Sequence, residues 1–143
     1  MTVETRLRVR YVETDQMGVV YHSHYIVWME VGRVEYCRAK GLRYRDMEEQ
    51  DDVLLAVAKM DCRFVSPARY DDEVVVATTI AKAHPRMVTF DYRISRAEDG
   101  QLLAEGQTTH IFCNRDLQRR KLPRKYFEAF GIDLESSQVA LNC

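Results

Sequence analysis

The amino-acid sequence predicts an α+β fold, a five-stranded and mostly antiparallel sheet with one long helix on one face. Two observations lead to this prediction. Apolar residues recur at helical spacing over about 24–40. From residue 53 onward, the pattern alternates with a period of two, in segments that short turns connect. Strands joined by short turns pair antiparallel, and a further strand precedes the helix.

The first strand is predicted from an alternation that ends near Val12. One face of this strand is apolar and the other is basic, so we expect a half-buried strand whose outer side faces solvent. The apolar positions are Leu7, Val9 and Tyr11, and the basic ones are Arg6, Arg8 and Arg10.

The long helix carries an apolar stripe with a glycine in its middle. Gly32 there costs about 1 kcal/mol relative to alanine unless close packing offsets it, which predicts a close approach of the sheet. Ser23 is the expected N-cap, and Gly41 is expected to end the helix. The opposite side also carries valines and an isoleucine, so we expect it to be covered too. The stripe consists of Tyr25, Trp28, Met29, Gly32, Tyr36 and Ala39.

The remaining chain is predicted as four strands with a short terminal helix. A polar connection is expected over 43–52, and Gly106 marks a bulge or a close approach. In the second strand, Ala56, Ala58 and Met60 are expected to share a face. The chain of 143 residues is predicted to form one domain with a core over about 6–131 and a frayed tail over 134–143. The strands are 53–65, 73–83, 87–96 and 102–114, and the helix is 124–130.

Composition narrows the classes of protein. With 21 basic and 22 acidic residues and no basic-aromatic motif, the chain gives no sign of nucleic-acid binding. No apolar run approaches the roughly 20 residues of a membrane span, and the N-terminus lacks the apolar segment of a signal peptide. The four cysteines form no CxxC pair. We therefore expect a cytoplasmic protein with reduced thiols and no membrane partner.

A polar loop that carries Asp15 leads directly into the helix. A helix N-terminus offers unpaired N–H groups and a partial positive charge. An acid or base beside a site that binds an oxyanion is what acyl transfer to water requires. This arrangement favours a hydrolytic site at the start of the helix.

Residues 14–25, TDQMGVVYHSHY, resemble the active-site segment of the hotdog-fold acyl-CoA thioesterases. The resemblance is strongest to the 4-hydroxybenzoyl-CoA thioesterase family, and within it to the Tol–Pal-associated short-chain acyl-CoA thioesterase branch. The shared pattern is Asp, two variable residues, Gly, a variable residue, Val, Tyr-His, two variable residues and Tyr. Residues 66–72 resemble the turn between the second and third strands of that family.

This resemblance implies an acyl-CoA thioesterase whose sheet wraps the long helix. Subunits would join edge to edge as a homodimer, with active sites at the interface, and dimers could pair into a homotetramer. Asp15 would supply the catalytic carboxylate, and the His22 N–H would polarise the thioester carbonyl. No metal or other cofactor would be needed. The substrate would lie against Gly18, Val20, Tyr21 and Tyr25.

The sequence indicates less clearly which residues would bind the coenzyme A phosphates. Family members carry basic residues between the third and fourth strands, where Arg86 lies, so Arg86 is the phosphate-binding candidate. A second basic cluster either attracts these phosphates or is simply a solvated face. This cluster consists of Arg115, Arg119, Arg120, Lys121, Arg124 and Lys125.

Several of these residues have alternative roles. Asp15 can act as a nucleophile or as a general base, and the imidazole of His22 is an alternative acid-base group. His22 and His24 with Asp15 make an incomplete ligand set for a closed zinc site. Cys37 and Ser23 lack the partners of a hydrolytic nucleophile. Tyr21 and Tyr25 could line a pocket or fill the core.

Three other functions stay open at this point. The first is a non-catalytic protein that binds acyl thioesters, against which the presence of Asp15 argues. The second is a thioesterase that acts on acyl carrier protein instead of coenzyme A. The third is a hotdog dehydratase, whose usual motif is absent from the sequence.

Overall fold

The computed structural model describes residues 1–133 and has an antiparallel sheet of five strands with two helices. Every strand pairing is antiparallel, in the order β1-β3-β4-β5-β2, which confirms the predicted α+β class. The strands are β1 (Thr2–Arg8), β2 (Leu54–Phe64), β3 (Glu73–His84), β4 (Met87–Arg96) and β5 (Leu102–Cys113), and the helices are α1 (Ser23–Ala39) and α2 (Tyr44–Asp51).

Helix α1 packs closely on the sheet at Gly32, as predicted. A Cβ atom at Gly32 would lie 2.5 Å from Thr78 Oγ1 and 2.8 Å from Val76 Cγ1, so no larger residue fits without movement. Gly106 of β5 is a second close approach, because its Cβ would lie 2.7 Å from Met29 Cε. These contacts place α1 against one face of the sheet, and its first turn lies near the end of β2, where Tyr25 packs on Phe64.

The first strand lies nearer the N-terminus than the sequence suggests. β1 ends at Arg8, and a 3₁₀ turn, Tyr11–Glu13, follows it. The prediction that the strand continues to about Val12 is therefore wrong. Tyr11, predicted on the apolar face of that strand, is 76% exposed. The chain leaves the sheet because the Arg10 N–H donates a hydrogen bond to Glu13 Oε1 at 2.8 Å, which favours the turn.

The predicted polar connection over 43–52 is wrong, because this segment contains α2. Met47 is its one buried residue. A helix of eight residues with a single buried side chain shows no apolar stripe that a periodicity argument could detect. The segment ends at Asp52, whose φ of 54° is left-handed.

The ends of the helices differ in detail from the prediction. Ser23 is the first helical residue and not the N-cap, a position that His22 occupies. Gly41, with φ +83°, follows the end of α1 as expected, whereas Ala39 is exposed and not part of the buried stripe. The predicted terminal helix is only a 3₁₀ turn, Arg124–Tyr126, and the tail over 134–143 lies outside the described residues.

Strand β2 lies at an edge of the sheet and leaves apolar side chains uncovered. Its pairing with β5 shifts between Val57 and Lys59, so Val57 and Met60 share the face toward α1. Ala56 faces the other way, which corrects the prediction that it shares a face with Met60. Val57, Met60 and Phe64 are 53%, 40% and 50% exposed.

Within residues 1–133, no helix has the length and apolarity to cross a membrane. Cys37, Cys62 and Cys113 are free thiols.

Candidate active site

The loop between the first 3₁₀ turn and α1 is closed by main-chain hydrogen bonds. At its base, the Tyr21 N–H donates to the Glu13 carbonyl at 2.9 Å. Inside it, the Asp15 N–H donates to the Val19 carbonyl at 2.9 Å, and the Gly18 N–H donates to the Asp15 carbonyl at 3.0 Å. Gly18 has φ +78°, which a side chain would strain. The loop therefore holds Asp15 close to the start of α1.

The carboxylate of Asp15 has one oxygen free for chemistry. Its Oδ1 accepts a hydrogen bond from the Met17 N–H at 2.8 Å, which fixes the orientation of the side chain. Within the described part of the chain, Oδ2 accepts no hydrogen bond. The side chain is half-buried and lines a groove. A carboxylate held in this way can take a proton from water or attack a carbonyl carbon.

The N-terminus of α1 faces the same groove. His22 is the N-cap and makes no side-chain capping bond. Its main-chain N–H donates to no group among residues 1–133, so this donor is available to a ligand. The helix dipole adds a partial positive charge at this end. Together the N–H and the dipole can stabilise negative charge on a carbonyl oxygen.

The groove itself has a volume of about 420 Å³ and mostly apolar walls. Tyr25 forms one wall, packing on Phe64 at a ring distance of 5.4 Å and accepting a hydrogen bond from the Ala68 N–H at 3.1 Å. The ring of His22 lies 4.3 Å from that of Tyr21. The lining residues are Asp15, Met17, Val19, Val20, Tyr21, His22, Tyr25, Phe64, Val65, Ser66 and Pro67.

Most of the residues predicted for the site meet in this groove. Asp15, His22 and Tyr21 line it with exposed or half-buried side chains. Val20 and Tyr25 also line it but are only 5% and 3% exposed, so each belongs to both the wall and the core. Gly18 acts through the turn of the loop and is not part of the wall.

Arg86 is the exception, since the structure does not bring it to this groove. It lies exposed in the turn between β3 and β4, whereas Asp15 lies at the other end of the sheet. The loop of Asp15 is anchored there by the bridge between Val19 and Arg69, just before β3 begins. Strand β3 has 12 residues, which separates the two ends by roughly 36 Å.

Half of the second basic cluster contacts the end of α2. Arg115 donates to the Glu48 carbonyl at 3.0 Å, and Arg120 to the Asp51 carbonyl at 2.6 Å. Lys125 pairs with the Asp51 carboxylate at 2.8 Å. These three cations therefore stabilise the helix C-terminus, as expected for positive charge at that end.

Glu13, next to the loop of Asp15, is a buried carboxylate that the sequence analysis did not single out. It is only 2% exposed, and its two carboxylate oxygens accept hydrogen bonds from Arg10 N and Trp28 Nε1 at 2.8 and 3.0 Å. Burial opposes its ionisation, but these hydrogen bonds hold the pKa of Glu13 below its usual value. In the sequence, only its position two residues before Asp15 could have indicated a role near the site.

The other histidine of the predicted motif turns toward this carboxylate. His24 Nδ1 lies 3.9 Å from Glu13 Oε2, and His24 does not line the groove. Within residues 1–133, no cluster of three His, Cys, Asp or Glu side chains is arranged to hold a metal ion.

A larger depression, of about 640 Å³, lies on the outer face of the sheet. Its two arginines already have a partner, because Arg63 and Arg93 both pair with Glu105, and Gln107 donates a hydrogen bond to Asp91 at 2.6 Å. It contains no helix terminus. The smaller groove at Asp15 is therefore the candidate active site.

Comparison with known proteins identifies the family of the chain. The family model of the thioesterase-like superfamily matches residues 9–130. The acyl-CoA thioester hydrolase YbgC of Escherichia coli O6:H1 is 32% identical over 130 residues, covering 87% of this chain and 92% of the relative. The crystal structure of DHNA-CoA thioesterase from Staphylococcus aureus is 32% identical, with a TM-score of 0.86 and coverage of 99% of this chain and 93% of that one.

The fold comparison extends to a more distant structure. The 4-hydroxybenzoyl CoA thioesterase from Pseudomonas sp. strain CBS-3 is 20% identical and has a TM-score of 0.81, covering 90% of this chain and 98% of that one. At this identity the likeness concerns the fold alone. These matches confirm the family resemblance inferred from residues 14–25 and the hotdog architecture: the chain belongs to the thioesterase-like superfamily.

Proposed function

We propose that this protein hydrolyses acyl-CoA thioesters to a carboxylic acid and free coenzyme A. One observation carries the proposal. A carboxylate with a free oxygen, Asp15, and a helix terminus with a free N–H, at His22, line the same apolar groove. The family match and the named activity of the YbgC relative support the same reaction.

In the proposed mechanism, the thioester carbonyl oxygen accepts a hydrogen bond from the His22 N–H. Negative charge that develops on this oxygen is stabilised by the N–H and by the dipole of α1. Asp15 acts in one of two ways. As general base it takes a proton from water, whose oxygen attacks the carbonyl carbon. As nucleophile it attacks directly, forming a mixed anhydride that water then hydrolyses. In both cases, the sulfur leaves as the thiol of coenzyme A.

A second subunit completes the site in this proposal. The exposed apolar residues of β2, at the edge of the sheet, favour edge-to-edge pairing in a homodimer. Antiparallel pairing of two β2 strands reverses the ends of the sheet, so Arg86 of the partner subunit would approach the end that carries Asp15. The phosphates of coenzyme A would then meet Arg86 across the interface. The outer side of α1, where Val27 is 46% exposed, is the surface on which two such dimers would pair into a homotetramer.

The walls of the groove favour an aromatic acyl group. Tyr21, Tyr25 and Phe64 present rings to the space beside Asp15, and aromatic rings stack favourably on one another. A similar structure from Synechocystis is named a 1,4-dihydroxy-2-naphthoyl-CoA thioesterase, and naphthoyl is an aromatic acyl group. We place the enzyme in the cytoplasm, a location that free thiols at Cys37 and Cys62 support.

A panel of thioesters tests this function. Release of free thiol is measured with aromatic and straight-chain acyl-CoAs, and with the matching acyl carrier protein thioesters. We expect turnover of at least one acyl-CoA, unchanged after treatment with a chelator. If only the acyl carrier protein thioesters were hydrolysed, the substrate would be acyl carrier protein and not the proposed coenzyme A ester. Tight binding of acyl-CoA without thiol release from any ester would contradict the enzyme and favour a binding protein.

A further inference from the structure

We propose that Glu13 is the positioning residue of the active site and that its buried carboxylate, hydrogen-bonded to Trp28, sets the place of Asp15 relative to the helix terminus. The inference rests on the proposed thioesterase function, because it concerns the same site. It concerns a residue that does not itself line the groove.

The carboxylate of Glu13 joins two parts of the chain that must meet for catalysis. Trp28 lies in the second turn of α1 and donates from Nε1 to Glu13 Oε2 at 3.0 Å. Arg10, before the 3₁₀ turn, donates from its main-chain N–H to the other oxygen at 2.8 Å. Both Glu13 and Trp28 are almost fully buried, at 2% and 3% exposure. Each oxygen therefore has a partner in a site with little water, where such bonds are strong.

The main chain of Glu13 holds the other end of the loop. Its carbonyl accepts from the Tyr21 N–H at 2.9 Å, and Tyr21 directly precedes His22. The hydrogen bonds of Glu13 therefore fix the positions of both Asp15, two residues later, and His22, nine residues later. An error of about 1 Å in such an arrangement can lower a rate about a hundredfold.

Other charged groups face the same carboxylate. Arg10 Nε lies 3.6 Å from Oε1, and His24 Nδ1 lies 3.9 Å from Oε2. Neither forms the closest contact, and the side chain of Arg10 is largely exposed. The bond from Trp28 is the one that connects the loop to α1, so it is the contact to be tested.

Two substitutions remove the bond from opposite sides. Glu13→Gln keeps the shape but leaves one acceptor oxygen for two donors, so one donor loses its partner. Trp28→Phe removes the indole N–H and keeps an aromatic ring against Tyr25. Phe112→Leu, at the far end of the sheet, is a control for general loss of packing. Trp28 is the single tryptophan of the chain, so its emission reports the environment of the bond in Glu13→Gln.

We expect each of the two variants to lower kcat about tenfold to a hundredfold with KM within about threefold of wild type. The double variant should lose no more than the worse single variant, because both changes remove one interaction. Phe112→Leu should lower the melting temperature while kcat stays within about threefold. Folded variants with kcat within about threefold of wild type, or with a raised KM alone, would overturn the inference.

A readout that needs no turnover separates this inference from the proposed function. Amide exchange of the Tyr21 N–H reports closure of the loop. We expect exchange at least about tenfold faster in Glu13→Gln and Trp28→Phe and unchanged in Phe112→Leu. Absence of thioester hydrolysis by the wild type would contradict the proposed function. Unchanged exchange of the Tyr21 N–H in both variants would overturn only the positioning role of Glu13.

Discussion

Gly32 of α1 lies directly over Thr78 of β3, where a Cβ atom would come within 2.5 Å of Thr78 Oγ1. A mid-helix alanine is ordinarily more stable than glycine by about 1 kcal/mol. Here the added carbon would overlap the stiff side chains of Thr78 and Val76, which costs about 1–3 kcal/mol. The absence of a Cβ therefore sets the distance between helix and sheet.

The overlap cost, less the gain in helix propensity, predicts that Gly32→Ala lowers the free energy of unfolding by up to about 2 kcal/mol, as measured by urea denaturation. Thr78 Oγ1 is buried without a hydrogen-bond partner in the described part of the chain, so its removal should cost little. Adding Thr78→Ala should restore part of the loss in the double variant. An increase in stability for Gly32→Ala alone would contradict the close approach.

His110 makes stability depend on pH. It is fully buried, with Nε2 at 2.8 Å from Thr108 Oγ1. Burial, and secondarily the charge of Arg33, lowers the pKa of His110 to about 4. An unfolded chain has a histidine pKa of about 6.5, so the unfolded state takes up the proton first as the pH falls. The stability that neutral His110 contributes is therefore complete above about pH 6.5 and lost toward pH 4.

Between about pH 7.5 and pH 5, we expect His110 to account for a loss of about 2 kcal/mol in the free energy of unfolding. Urea denaturation of wild type and His110→Gln at the two pH values measures the difference. The variant is expected to be less stable at pH 7.5 but to lose less on acidification. Parallel losses in the two proteins would show that His110 does not titrate in this range.

The imidazole of His22 is expected to be dispensable for the chemical step. His22→Ala retains the main-chain N–H at the start of α1, so kcat should fall less than about tenfold in the thiol-release assay. A fall of about a hundredfold or more would indicate that the ring transfers protons. It would replace the main-chain role that we assign to His22.

The shared site can be tested by mixing two impaired subunits. Asp15→Asn should lower kcat at least about a hundredfold, and Arg86→Glu should raise KM for acyl-CoA. In a mixed dimer, one site would have Asp15 of one subunit and Arg86 of the other, both intact. After exchange of equal amounts, half of the dimers are mixed, and each mixed dimer has one intact site of two. About a quarter of wild-type activity at low substrate should therefore return. Light scattering that found monomers at micromolar concentration, or mixtures no more active than their components, would contradict the interface.

Local features of the sequence predicted a large part of this structure. Gly32 indicated a close approach because a glycine there is costly without one, and Asp15 fell beside the helix terminus because they are close in sequence. The long-range features were not predictable in this way. Burial of the Glu13 carboxylate depends on Trp28, fifteen residues away, and the separation of Arg86 from Asp15 follows from the strand order.

Turnover of Asp15→Asn tests the central claim most directly. The substitution keeps the size and the hydrogen bond from the Met17 N–H but removes the basic, nucleophilic oxygen. With the best acyl-CoA of the panel, we expect kcat to fall about a hundredfold to ten-thousandfold, with an unchanged melting temperature. A folded variant that retained more than about a third of wild-type turnover would remove Asp15 from the mechanism.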